Sequence, residues 1–234
     1  MNSLYKKRQK KQGFITGLLS NLSLVSWLIL INIVVSLIGF FFFAYNGVDY
    51  IALKPNNILQ GKYPWTLLTH MFIHGNFLHL FVNMFVLFSL GSLSEKIIGR
   101  KRFLWLYLLS GLFAGILSVI LSALYGNTSL GSRIFSSPDV FMVGSSGAIF
   151  AIAGLFVMLL PKIRFMIIFL PFFSLPAYIM VPLILFITWI ASIAGNFPIG
   201  NVAHLGGFLA GIAYGAYLKT KYKRRVLLLQ KMFR

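Results

Sequence analysis

Ala203-His204-Leu205-Gly206-Gly207-Phe208-Leu209-Ala210-Gly211 is an apolar run with one ionisable residue near its start. On a helix, Gly207 and Gly211 follow His204 by three and seven positions and continue its face. Small residues on one face let a neighbouring backbone come very close. A second run offers a matching stripe: Gly147, Ala151 and Gly154, which begins in the turn Gly144-Ser145-Ser146-Gly147. Packing the two stripes together brings the His204 imidazole within reach of the Ser146 hydroxyl, the geometry a nucleophile and its general base require. Taken singly, neither run is specific. Serine at a helix start is ordinarily a cap, and a histidine in an apolar helix is often a satisfied core residue or part of an ion path. The stripe beneath the histidine and the serine opposite it tip the reading toward chemistry.

Outward from these runs, the composition identifies the solvent. Of the 234 residues 59% are hydrophobic and only 10% charged, whereas a soluble domain carries about 25% charged residues. A chain without a charged skin belongs in lipid. The net charge of +18 would suit nucleic acid only on a soluble basic surface. Here the basic residues are confined to the ends and to the gaps between apolar runs, so no nucleic-acid partner is expected. There is no cysteine, which excludes disulfides, thiol catalysis and Cys-held metals. No metal or cofactor is expected.

A spanning helix needs roughly 20 mostly apolar residues. Six segments qualify: 24–45, 72–94, 103–124, 144–160, 176–194 and 202–218. They predict an all-α membrane protein, a six-helix bundle over 24–218 between a basic N-terminal tail, 1–23, and a basic C-terminal tail, 219–234. Segment 24–45 is too long for a signal-peptide core and is read as a retained helix. The approach to the fifth segment is apolar but broken by Pro161, Pro171 and Pro176, so a short loop dipping into the interface is expected there. With the N-terminus cytoplasmic, 18 of the 21 Lys and Arg residues fall inside, and Lys54, Lys62 and Arg133 fall outside. That asymmetry places both termini in the cytoplasm, with the tails as mobile anchors against anionic lipid.

Polar side chains are costly in lipid and are presumptively functional or paired. His79 and Asn83, spaced i and i+4, share a face about two to three turns below the outer end of the second segment. Ser145 and Ser146 sit at the outer start of the fourth, and His204 near the outer start of the sixth. Three distant segments thus deliver Asn, Ser and His to one depth. At a helix start, Ser146 also has free backbone N–H groups beside it, which suit an oxyanion.

On these residues the chain resembles the rhomboid family of intramembrane serine proteases over nearly its whole length. The resemblance is carried by His79-x-x-x-Asn83, by Gly144-Ser145-Ser146-Gly147 and by His204-x-x-Gly207-x-x-x-Gly211, in that order on the second, fourth and sixth segments. Trp65 resembles the family's first-loop tryptophan, and Glu95 a structural acid at the inner end of the second helix. The resemblance implies a Ser–His dyad without a catalytic acid, with Ser146 as nucleophile and His204 as general base and acid. It further implies an oxyanion site of His79, Asn83 and the Ser146 N–H, supported by His74, with Asn201 in the loop before the base. It implies single-span or multi-span membrane proteins as substrates, a site opening to the extracytoplasmic side, and a cap over it at 195–200. Two positions depart from the family. Thr66 follows Trp65 where arginine is common, so loop anchoring is expected to differ. Phe150 replaces a common tyrosine, which keeps a ring to stack on the imidazole and loses the hydroxyl.

Other intramembrane proteases fit poorly. There is no His-Glu-x-x-His, and Asp49 and Asp139 fall in outer connections, not in the membrane. The rival reading is a catalytically silent rhomboid-like protein that binds membrane clients, which would be expected to lack Ser or His. A transporter or channel would want an intramembrane acid. His70 reads as structural or as an interfacial loop residue, and Phe40 to Phe43 as packing. A bacterial or archaeal plasma membrane is expected, with a mitochondrial inner membrane as the alternative, although no transit peptide is evident.

Overall fold

The computed structural model describes residues 22–45, 47–167, 170–195, 197 and 199–233. Among these residues, four helices are long and apolar enough to cross a membrane: α1 (Leu24–Ala44), α4 (Phe77–Ile98), α5 (Arg100–Tyr125) and α8 (Ala177–Gly195). Two more complete the bundle. α7 (Ser146–Leu159) is apolar but only 14 residues long, and α9 (Asn201–Lys221) is glycine-rich. Short helices α2 (Pro55–Leu59), α3 (Thr66–Thr69) and α6 (Ser129–Phe135) lie in the connections, and α10 (Lys223–Met232) follows α9. The α1 helix buries a narrow stripe of Val25, Leu28, Asn32, Ser36 and Gly39. Its other faces leave Leu37, Ile38 and Phe41 exposed. A helix apolar all round and largely uncovered by protein suits a lipid surround.

At the centre stands α7, whose residues from Gly147 to Phe156 are buried except for the half-buried Phe150. Its neighbour α9 approaches it backbone to backbone. A methyl built on Gly207 would run into the Gly147 carbonyl, one on Gly211 into the Ala151 carbonyl, and one on Gly154 into the Phe208 carbonyl. The two stripes therefore interlock as their spacing predicts. Against the other side of α9 lies α5, where a methyl on Gly206 would come within 3.0 Å of Leu117 and 3.3 Å of the Ala114 Cα.

Several elements differ from the sequence expectation. The second helix begins at Phe77, not 72, because Asn76 caps it by accepting the His79 backbone N–H at 2.8 Å. It runs on through one π-turn at Leu87–Gly91. Between 161 and 176 there is a hairpin, not an irregular loop: β1 (Arg164–Ile167) pairs antiparallel with β2 (Leu170–Pro176). The prolines block a helix, yet backbone groups among apolar side chains still need partners, and strand pairing supplies them. Pro182 sits inside α8. The basic stretch expected to be a mobile tail is largely helix: α10 buries Val226 and donates Gln230 Nε2–H to the Leu159 carbonyl at 2.9 Å. Of the N-terminal tail, residues 1–21 lie outside the described residues.

One carboxylate ties α1 to the bundle. Glu95, buried near the end of α4, accepts the backbone N–H groups of Leu24 and Val25, each at 3.0 Å. These are unsatisfied donors of the first turn of α1, at the positive end of its dipole. The exposed Arg100 lies 3.3 Å from the same carboxylate and adds little. Glu95→Gln is expected to cost about 1–3 kcal/mol, read as a lowered melting temperature in a fixed detergent, while Lys96→Gln on the exposed side leaves it unchanged. The α7–α9 contact makes a second prediction. Ala is normally better than Gly inside a helix by about 1 kcal/mol, but at Gly211 the added methyl meets a carbonyl that cannot rotate away. Overpacking costs of about 1–3 kcal/mol or more then win, so Gly211→Ala is expected to destabilise. Gly39→Ala, whose methyl comes within 3.1 Å of the Ile73 side chain, is expected to melt near wild type; a Gly211→Ala protein that melts higher would sink the close-packing argument.

Candidate active site

The turn before α7 is built around a backbone that only glycine adopts with ease: Gly144 has φ +118. Its N–H donates to the His70 carbonyl at 2.9 Å. A side chain there would also meet the His79 ring, at 2.8 Å from Cε1. Gly144 thus lets His79 lie against the turn. Ser145, fully buried, places its hydroxyl 3.4 Å from His74 Nε2, while His74 Nδ1 lies 2.9 Å from the Ser36 hydroxyl on α1. The turn is held from one side by the segment before α4 and from behind by α1.

Ser146 then opens the helix, and its Oγ lies 2.9 Å from His204 Nε2. With Nε2 unprotonated, the hydroxyl donates to it. The separation follows from the α7–α9 interlock directly below. The Phe150 ring, one turn further along α7, stacks on the imidazole with centroids 4.5 Å apart and planes 26° from parallel. Stacking is therefore kept where phenylalanine stands in place of the family's common tyrosine. The imidazole is buried, and among the described residues nothing hydrogen-bonds its Nδ1.

His79 and Asn83 line the same cavity as Ser146 and His204, a space of about 1170 Å³. The His79 ring packs edge-on against His74, with centroids 5.1 Å apart. Asn83 is buried and donates one Nδ2–H to the His79 carbonyl at 2.9 Å, which fixes its amide and leaves the second N–H available. The cavity continues between α4, at Val82 and Val86, and α8, at Val181 and Ile184.

Asn201, expected in the loop before the base, is instead the first residue of α9 and fully buried. Trp65 donates Nε1–H to the Tyr50 carbonyl at 2.9 Å and packs edge-on against Tyr63. Thr66, buried beside it, donates its hydroxyl to the Tyr63 carbonyl at 2.7 Å. The loop is thus anchored through aromatic rings and main-chain acceptors. In the expected cap, Ile199 and Gly200 line the cavity, while Asn196 and Pro198 lie outside the described residues. Asp139 accepts a bond from Asn56, and Asp49 from Asn57. Sequence reasoning missed Ser36 and the part His70 plays through its carbonyl. A serine one turn beyond Asn32 in a largely apolar helix was the available signal for the first, and nothing in the residue pattern signals the second.

Comparison with known proteins gives a consistent answer. The family model described as the rhomboid domain matches residues 61–221. RHOMBOID-like protein 5 of Arabidopsis thaliana is 32% identical over 167 residues, 71% of this chain and 48% of that protein. RHOMBOID-like protein 6, mitochondrial, of the same plant is 33% identical over 168 residues, again 71% and 48%. The human presenilin-associated rhomboid-like protein, mitochondrial, is 31% identical over 151 residues, 64% of this chain and 37% of that protein. The chain thus spans less than half the length of these curated relatives. They come from a plant and from mitochondria, so a bacterial or archaeal plasma membrane draws no support from them. A match running from the connection before α3 through α9, with the membrane-compatible helices it covers, makes this chain an integral membrane protein of the rhomboid family.

Proposed function

We propose that this protein is an intramembrane serine endopeptidase that hydrolyses peptide bonds in membrane-protein substrates. The observation that carries the reading is the 2.9 Å approach of Ser146 Oγ to His204 Nε2 inside a cavity also lined by His79 and Asn83. His204 takes the Ser146 proton as Oγ attacks the substrate carbonyl, then gives it to the leaving amine. Water, activated by the same imidazole, releases the acyl group. The charge on the carbonyl oxygen is met by the Ser146 backbone N–H, the His79 ring and the free N–H of Asn83. A substrate helix must unwind first, because its carbonyls are already bonded and its peptide bonds shielded. The continuation of the cavity between α4 and α8 offers such a segment a sideways approach from lipid.

We further read the bundle as six spans with both termini cytoplasmic. Support comes from the polarity of the charges: Arg100, Lys101 and Arg102 start α5, and Lys219 and Lys221 end α9, at the end of the bundle remote from Ser146. The active site then opens to the extracytoplasmic side. On this reading the α7 helix, short for a span, is covered by α5 and α9 and not by lipid.

Ser146→Ala is expected to abolish cleavage of a single-span substrate in liposomes while the melting temperature holds, since one hydroxyl contributes little packing. A fluorophosphonate probe should label the wild type and not the variant. Labelling that survives Ser146→Ala sinks the nucleophile assignment, and a wild type that neither cleaves nor labels favours a silent client-binding protein. His79→Ala and Asn83→Ala are each expected to reduce kcat by roughly 10²–10³ with a smaller change in KM. The two need not be equal, because Asn83 also holds the His79 carbonyl. Near wild-type turnover in the double variant would overturn the oxyanion role.

A further inference from the structure

Tyr222 stands where α9 ends and α10 begins, and three cations gather on its ring. Arg102, from the first turn of α5, donates Nη2–H to the Tyr222 hydroxyl at 2.7 Å, with its guanidinium 5.0 Å from the ring centroid. The Arg225 guanidinium and the Lys221 ammonium each lie 5.9 Å from the same centroid. Lys221 also donates to the Tyr217 hydroxyl at 2.6 Å. All three cations are exposed. A ring face attracts a cation modestly and does not cancel repulsion among three of them.

Among the described residues no acidic side chain supplies the counter-charge. The chain has three acidic residues. Glu95 holds the amides of Leu24 and Val25 beside Arg100, while Asp49 and Asp139 sit in the connections at the opposite end of the bundle. A second observation indicates where the anion comes from. α10 is fixed to the bundle through buried Val226 and the bond from Gln230, yet it leaves Leu227, Leu228 and Met232 uncovered among its cations. Cations alternating with uncovered apolar side chains on one helix match the boundary between phospholipid headgroups and acyl chains.

We propose that Arg102, Lys221 and Arg225, arranged around Tyr222, bind the phosphate of an anionic phospholipid whose acyl chains lie over Leu227 and Leu228. This narrows a general attraction of basic tails for lipid to one site built from three helices. It rests on the membrane setting alone and is independent of the catalytic reading.

The test is a titration of the full-length protein in detergent micelles with short-chain phosphatidylglycerol, phosphatidylcholine or inorganic phosphate, followed by melting temperature. Phosphatidylglycerol is expected to raise it at concentrations where the other two do not. R102Q/R225Q should shift the phosphatidylglycerol midpoint by about tenfold or more, and K96Q/K162Q, with equal charge loss elsewhere on the surface, by less than about twofold. R102K/R225K keeps the charge and controls for folding, and it is expected to bind within about threefold of wild type. Equal weakening in R102Q/R225Q and K96Q/K162Q would mean diffuse attraction and overturn the site. A full response to inorganic phosphate would replace the lipid by a free anion.

Discussion

The structure depends on one contact, the backbone-to-backbone approach of α7 and α9. Apolar side chains gain little by leaving lipid for protein, so helices in a membrane associate through close packing instead. Here Gly207 and Gly211 sit on the carbonyls of Gly147 and Ala151, and Gly154 on that of Phe208. No side chain can be added at these points without moving a main chain. That makes the register of the two helices a fixed quantity, and with it the separation of the groups that stand above the contact. Ser146 and His204 carry no restraint on their distance beyond a single hydrogen bond. The glycines beneath them supply the rest.

Fixed register would be of little use if the polar groups were stranded in hydrocarbon. A helix of 14 residues rises about 21 Å, well short of the ~30 Å hydrocarbon thickness. On the proposed orientation, an α7 whose far end meets the opposite boundary starts below the extracytoplasmic surface, and the cavity leads to Ser146. Around that opening the main chain from 61 to 76 is broken into turns and short helical segments, and from 136 to 145 it is irregular. Such backbone is tolerated at membrane depth only when it is covered by protein or lines water. The bridge of Leu53 to Met142, the bond from Gly144 to the His70 carbonyl and the capping of α4 by Asn76 supply its partners. The irregularity is therefore what a polar site inside a membrane requires.

What was legible in the sequence follows from this. Hydropathy and the glycine spacing rest on periods within one helix, so the helices and the mating faces of α7 and α9 could be read directly. Helix ends were less legible. Asn76 acts as a cap four residues inside a run that is apolar enough to pass for helix, so the boundary of α4 moved. The hairpin at 164–176 and the short α6 answer to backbone pairing and tertiary cover, which leave no period in an apolar sequence. The basic end of the chain looked like a tail because charge dominates it, yet one buried valine and one glutamine dock it as α10. Within the site, Ser36 and His70 act from elements remote in sequence, one through a hydroxyl behind His74 and the other through a carbonyl. Only the fold brings them to the turn.

The scarcity of acid is the remaining constraint on the chemistry. In many serine hydrolases a carboxylate on the far nitrogen of the imidazole holds the ring in place. This chain has three acidic residues. One caps α1, and two accept hydrogen bonds from asparagines in the connections between helices. None reaches His204 Nδ1, which has no partner among the described residues. Orientation must then come from shape. Phe150 lies nearly parallel to the imidazole and removes freedom to swing off its plane, and burial in the first turns of α9 removes other rotamers. A carboxylate buried at this depth would bring a desolvation penalty of several kcal/mol for its own charge. An aromatic face, needing no counter-charge, holds the ring without it. On the proposed reading, the departure from tyrosine at this position therefore keeps the part of the side chain that positions the base.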